Sequence, residues 1–538
     1  MGRETLGRRT VIIGIDGATF DVLDQLVAAG ELPFLGELLK GGVRAELGTI
    51  VPALTPPAWT SLMTGRSPGH HGIFDFFRRS GAHSQQIDLL TARDVATETI
   101  WSLASRRGMR STVINFPLTY PAPQIDGFVV PGWMPWRQVK LGCYPKGLYE
   151  RIKTLPKFNP RDLGFDFSLE EKSIEGCDPS EYEEWISFHI RKERQLFRIM
   201  ELLMREEPCE LTAILFDGVD KLQHLMWRFI DERCLPPEPS DWELAIRRCC
   251  LKYFSELDDI MRSIVELAGE EATILVASDH GFGAQSATFF ANAWLAENGY
   301  LTWADAAPET GEYKTRGLSQ IGRHVQLIDW DATKAYALTP SGNGIHIVRQ
   351  KEPGGPGVPD EEYESLRLEI SRGLRDVKHP DGSPLIAEIW TREEAFEGPF
   401  LDVAPDLTLV MKDGGLISIL SSEEIVAPVD PPVGTHRHEG VFLATGPEIK
   451  RGVTLDPLSI LDVASMALHG IGAPIPAELE GRVPEEAYLP EALRARPVAI
   501  DRDADRAASS TATTDAPELD AEAEEEIARR LRSLGYMD

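Results

Sequence analysis

Three apolar, β-branched runs of this chain stop at acidic residues: Val11 to Ile15 before Asp16, Ala213 to Phe216 before Asp217, and Ala272 to Ala277 before Ser278 and Asp279. Strands that stay apolar along their whole length must be covered on both faces. Separated by helical stretches, they specify a largely parallel sheet. Ligands of such sheets collect at the carboxyl ends of the strands, where these acids stand. The expected fold class is α/β, a mostly parallel central sheet with helices on both faces and inserted segments.

At 538 residues the chain exceeds one ordinary core, so a large α/β domain interrupted by insertions is expected. The expected order is core at 9–131, an insertion at 132–204, core at 205–300, a cap insertion at 301–398 and core at 399–490. An acidic flexible tail at 491–538 would end in a helix. The first insertion is rich in aromatic, Pro and charged residues, and the second carries a Gly/Pro cluster from Gly354 to Pro359. From Arg494 to Ala523 the chain has too few large apolar side chains to bury. Beyond it, Ile527, Leu531 and Leu534 recur at i, i+4 and i+7, the spacing of a helix that can dock.

The net charge of −30 argues against a nucleic-acid polymer as main partner, because phosphate contacts need clustered Lys and Arg. A small phosphorylated substrate would be drawn in locally by bound cations. No apolar run approaches the ~20 residues of a membrane span. Arg3, Arg8 and Arg9 precede an apolar stretch that Asp16 interrupts, so a core strand is expected there and not a signal peptide. Six cysteines without a CxxC pair point to a reducing compartment, and a cytoplasmic location is expected.

Residues of metal-ligand type gather near these strand ends. Ser278-Asp279-His280-Gly281 directly follows a strand, and a Gly-dependent turn would aim both side chains into the cleft. Asp220 and His224 are spaced i, i+4, one face of a helix, although such a pair alone is commonly a solvated one. Leu54-Thr55-Pro56-Pro57 reads as a helix start with Thr55 as N-cap. A hydroxyl there lies at the positive end of the helix dipole, and an isolated Thr-Pro-Pro is otherwise an ordinary cap. His436, between Thr435 and Arg437, reads as a loop residue, with His438 a rival for its role and Asp217 a substitute for Asp220. His70 and His71 are expected to support the turn after the Thr55 helix. Together, carboxylates and imidazoles of this number suffice for two divalent cations around one hydroxyl.

Ile15-Asp16-Gly17, Thr55-Pro56-Pro57, Thr64-Gly65 with Pro68, His71 and Gly72, Asp220 to His224, Ser278-Asp279-His280-Gly281 and Gly434-Thr435-His436 stand in the order used by the alkaline phosphatase superfamily. The chain resembles its type I phosphodiesterase/nucleotide pyrophosphatase branch and related predicted phosphohydrolases and phosphomutases. That resemblance implies an alkaline-phosphatase-like three-layer sandwich with inserted caps. It further implies one metal held by Asp220, His224 and His436, another by Asp16, Asp279 and His280, and Thr55 facing both as the nucleophile that forms a phosphothreonine. Zinc is the expected ion, with manganese compatible with the oxygen-rich second site.

Two departures from the family pattern shape the expectation. Thr55-Pro56-Pro57-Ala58 lacks the Cys or Ser context of sulfatases, which disfavours sulfate esters. Nucleotide pyrophosphatases place an Asn after His-Gly-Ile, whereas this chain reads Phe74-Asp75-Phe76, so backbone N–H groups, Arg78, Arg79 or Lys221 would have to hold the phosphoryl oxygen. A phosphoester hydrolase acting on a diester or pyrophosphate is expected. A phosphomutase or phosphomonoesterase of the same superfamily and a metal-stabilised binding protein are the alternatives. Trp133, Trp136, Trp227 and Tyr336 are open between substrate stacking and packing.

Overall fold

The computed structural model describes residues 8–79, 87–164, 179–304, 327–502, 513–515 and 517–533. Its main sheet runs, in spatial order, Val453–Thr454, Val43–Gly48, Glu439–Thr445, Ala272–Ala277, Arg9–Ile15, Leu211–Phe216, Ser111–Ile114 and Gly127–Val130. Leu458–Ser459 adds beside Val43–Gly48. Every pairing is parallel except the two made by Glu439–Thr445.

Side chains alternate across a strand, so a sheet covered on both faces divides its residues between two cores. Val11, Ile13, Ile15, Ile214 and Phe216 join one apolar cluster, while Ile12, Ala213 and Leu215 join the other. The helices Phe20–Ala28, Pro33–Gly41, Pro179–Glu206, Gly218–Ile230 and Asp241–Ala268 cover the first face, and Thr55–Thr64, Ile100–Arg106 and Asp462–Ile471 cover the second. The result is a mixed α/β, three-layer arrangement with a mostly parallel centre, as expected from the apolar runs.

The segment boundaries differ in three places. The helix Pro179–Glu206, placed in an insertion from composition, buries Leu196, Ile199, Met200 and Leu203 in the first core. Their i, i+3, i+4, i+7 spacing was masked by the charged residues of its outer face. The cap has its own core and a four-stranded antiparallel sheet, Ala335–Ala337, Gly344–Ile347, Leu407–Met411 and Ile386–Thr391. It extends beyond residue 398 because Leu407 and Leu409 alternate into the cap core. In the tail, Thr514 N–H donates to Ala122 O at 2.9 Å and the Tyr120 hydroxyl to Pro517 O at 2.7 Å. The helix Ala521–Ser533 then buries Ile527 and Ala528 against the first core. The tail stretch 503–512, residue 516, Leu534 and the Leu531 side chain lie outside the described residues.

Core and cap are joined by a two-stranded ribbon, Gly281–Phe289 paired with Val426–Arg437. Phe282 packs in the first core and Phe289 in the cap core, so the ribbon is anchored at both ends. Among the described residues, no helix is long and apolar enough to cross a membrane.

Candidate metal centre

Parallel register sets Ile15 beside Phe216 and Gly14 beside Ala277. Asp16, the start of helix Gly218–Ile230 and Asp279 therefore emerge on one edge of the sheet. Asp220 and His224 follow on that helix, with His224 Nε2 3.4 Å from Asp220 Oδ1. The backbone turns sharply here: a Cβ on Gly281 would sit 1.9 Å from Glu439 O, and Gly17 takes a φ of +67° against the Phe282 ring. Only glycine meets both demands without displacing its neighbours.

Two local expectations need correction. His436 is not in a loop but near the end of the 12-residue strand Val426–Arg437, opposite Phe282. An irregularity between Pro428 and Val433 takes up Pro431 and Pro432, and pairing resumes at Val433. Thr55 is the first helical residue, with Leu54 in the N-cap position and Pro56 second. The Leu54 carbonyl accepts from Ala58 N–H at 3.0 Å, which moves the start by one residue.

All seven residues named from sequence meet in one cluster, six of them buried and His224 half-buried at its edge. His280 Nε2 lies 3.2 Å from Thr55 Oγ1, 3.2 Å from Asp279 Oδ2, 3.6 Å from Asp16 Oδ1 and 4.0 Å from Asp220 Oδ1. His436 Nε2 lies 3.3 Å from Asp220 Oδ1 and 3.1 Å from His224 Nε2, and its Nδ1 lies 2.9 Å from Ala53 O. The rings of His280 and His436 stack at 3.6 Å. Two groups can each converge on one ion, Asp220 with His280 and His436, and Asp16 with Asp279 and His280. His280 thus stands between the groups, where the sequence reading gave it to one, and His224 borders the first.

The electrostatics of the cluster fit cations. Burial, reinforced by neighbouring carboxylates, raises the Asp16 and Asp279 carboxyls well above the usual range. Burial also raises Asp220, but Lys221 Nζ at 2.7 Å and His224 outweigh it and hold that carboxyl well below. Burial and the adjacent His436 push the His280 imidazole well down. Among the described residues, Asp16 Oδ1 and Asp279 Oδ2 are buried without a hydrogen-bond partner. Buried orphan carboxylate oxygens facing neutral imidazoles are the donor set a divalent cation completes.

Neighbouring residues have structural duties. His71 Nε2 lies 3.0 Å from Ser61 Oγ and its Nδ1 accepts from Ile73 N–H, which supports the turn after the Thr55 helix. His70 pairs with Glu480 at 2.9 Å. His438 packs beside Gly48. Asp217 is held by Lys192 at 2.7 Å and Arg530 at 3.0 Å. Burial alone would raise its carboxyl, but these two cations hold it far below the usual range. Trp227 stacks on Phe282 and Trp136 opens a short helix, while Trp133 lies under Lys221 Nζ at 4.2 Å and Arg530 at 5.3 Å. Sequence reasoning missed Trp59, whose indole N–H points to Asp16 Oδ2 at 3.4 Å. Its i+4 offset from Thr55 on one helix was the available signal. It also missed Arg530, which comes from the far end of the chain.

A family model described as type I phosphodiesterase / nucleotide pyrophosphatase matches residues 10–436. Among solved structures, the chain is similar to inactive murine ectonucleotide pyrophosphatase / phosphodiesterase 5 in complex with AMP, at 15% identity and a TM-score of 0.48, covering 87% of this chain and 95% of that one. It is also similar to phosphonoacetate hydrolase from Sinorhizobium meliloti in complex with phosphonoformate, at 16% identity and a TM-score of 0.46, covering 86% and 96%.

Proposed function

The chain belongs to the type I phosphodiesterase/nucleotide pyrophosphatase family, enzymes that hydrolyse phosphoric esters with metal ions, and from that premise we propose that Thr55 is its nucleophile, working beside two divalent cations on a diester or pyrophosphate. The observation that carries this reading is the approach of Thr55 Oγ1 to His280 Nε2, at 3.2 Å, where two potential ligand groups share one imidazole. Asp16, Asp279 and His280 would hold one ion, and Asp220, His224 and His436 the other, with zinc the ion that best suits this donor set. Bound there, the ions would lower the pKa of the Thr55 hydroxyl and neutralise the leaving oxygen.

The protein side of the reaction follows from Thr55. As the first residue of the helix Thr55–Thr64, its hydroxyl lies at the positive end of the helix dipole, where an alkoxide and a phosphoryl oxygen are both stabilised. In-line attack forms the Oγ1–P bond as the ester P–O bond breaks, and water then cleaves the phosphothreonine. Lys221, buried beside Asp220, adds a fixed positive charge next to the reacting centre.

Thr55→Ala, assayed on bis-p-nitrophenyl phosphate with zinc and with manganese, is expected to lose turnover by about a thousandfold or more while keeping its metal content. Retained turnover overturns the nucleophile, and turnover of p-nitrophenyl phosphate alone overturns the preference for diesters. The complete burial of Thr55, Asp16 and Asp279 favours a second reading, transfer of the phosphoryl group to a substrate hydroxyl with water excluded. Release of inorganic phosphate, measured against transfer to an added alcohol, separates the two.

A further inference from the structure

A cavity of about 370 Å³ separates the core segment 72–79 from the cap, and four guanidinium groups line it: Arg78 and Arg79 from the core, Arg349 and Arg392 from the cap. Tyr336 and His346 stack in its wall at 5.4 Å, and burial pushes the imidazole down to about 4, so it stays neutral. Through Arg79, Tyr336 and Arg349 the cavity shares its wall with a second one of about 440 Å³ that adds Lys351 and Trp330. Through Pro52 it borders a third, of about 190 Å³, lined by His436. The arginine-lined chamber under the cap thus shares Pro52 with a cavity whose wall includes His436 of the metal cluster.

Of the three acids in the same wall, Asp75 and Asp406 are engaged and Asp402 is exposed. Asp406 accepts from Arg392 at 2.8 Å, from the Tyr363 hydroxyl and from Ile347 N–H, and Asp75 accepts from Thr339, Ser341 and Phe76 N–H. Arg78 pairs with Asp94 and Arg349 with Asp360, both at 2.6 Å, and the latter pair is largely exposed. Arg79 donates to the Tyr336 hydroxyl and lies over the Trp330 ring at 4.9 Å. Arginines fixed on aromatic faces in a concave site are preorganised for a planar or tetrahedral anion. Their gathering on both walls of one cavity stands out in a chain of net charge −30.

Resting on the function proposed above, we infer that this chamber is a substrate subsite for a second anionic group, a phosphate or a carboxylate, carried on the part of the substrate that does not leave. The enzyme's substrates would then be organophosphates with two negatively charged ends, one at Thr55 and one among the arginines.

The test is a ladder of p-nitrophenyl phosphodiesters with one leaving group and differing second arms: alkyl, ω-carboxyalkyl or ω-phosphoalkyl, two to six carbons long. A charged arm of matching length is expected to raise kcat/KM at least about tenfold over the alkyl arm. Comparison of the two charged series identifies which anion is read. In the Arg79→Gln/Arg349→Gln double variant, and to a smaller degree in each single variant, this advantage should collapse toward twofold. Equal rates for charged and alkyl arms in the wild type, or an advantage that survives both substitutions, overturns the subsite. Failure of the wild type to cleave any diester, alkyl included, overturns instead the function on which it rests.

Discussion

Asp75 shows how one side chain fastens the cap to the core. It stands just past His71-Gly72-Ile73, and its carboxylate accepts from Thr339 and Ser341 of the cap. Burial pushes its pKa up to about 6, against the opposing pull of these hydroxyls. A carboxyl raised on folding favours the native state while protonated, so its contribution is complete below its ordinary value near 3.8 and is lost as pH rises through about 6. The loss is at most about 3 kcal/mol. Asp75→Asn cannot ionise, so urea midpoints from pH 4.5 to 8 should fall less steeply for the variant than for the wild type; parallel curves would contradict the assignment. At this scale the sequence was legible where chemistry and backbone agree: Asp16 and Asp279-His280 stand at strand ends and need Gly17 and Gly281. The sharing of His280 between two ligand groups was not legible, because it depends on how its ring stacks on a residue 156 positions away.

Among the elements, the three apolar central strands announced themselves and the long helix Pro179–Glu206 did not. Continuous β-branched runs mark a doubly covered strand, whereas Pro179–Glu206 carries so many charges that its apolar stripe shows only once its partner surface is known. The helix Ala521–Ser533 was legible as a terminal helix that can dock, but the side chain it carries inward was not. Its composition is acidic, yet it delivers Arg530 into the core to meet Asp217 beside Lys192. Arg530 also shares the Trp133 ring with Lys221, which touches Asp220. Arg530→Ala should lower unfolding stability by about 1–3 kcal/mol, since Lys192 still compensates Asp217. Arg530→Lys should recover part of that loss in chemical denaturation; a variant as stable as the wild type would mean that the helix is not held through this pair.

For the molecule as a whole, cations and fold are expected to be linked. Asp16, Asp220 and Asp279 are fully buried side by side, an arrangement that costs stability without positive charge between them. Chelation should therefore lower the melting temperature, and zinc at a hundredfold excess over its Kd should restore about 2.7 kcal/mol; a melting curve indifferent to EDTA would argue against the site. The sheet that carries these residues contains one antiparallel strand, Glu439–Thr445, wedged between Val43–Gly48 and Ala272–Ala277. During synthesis the strands on either side of that gap leave the ribosome long before the strand that fills it. Until then both edges offer unpaired backbone to other chains, and His436 has not yet been made. Fragments ending before residue 436 should thus aggregate and bind fewer ions than the 538-residue chain, because the sheet and the ligand cluster both wait on the same stretch, 436–445.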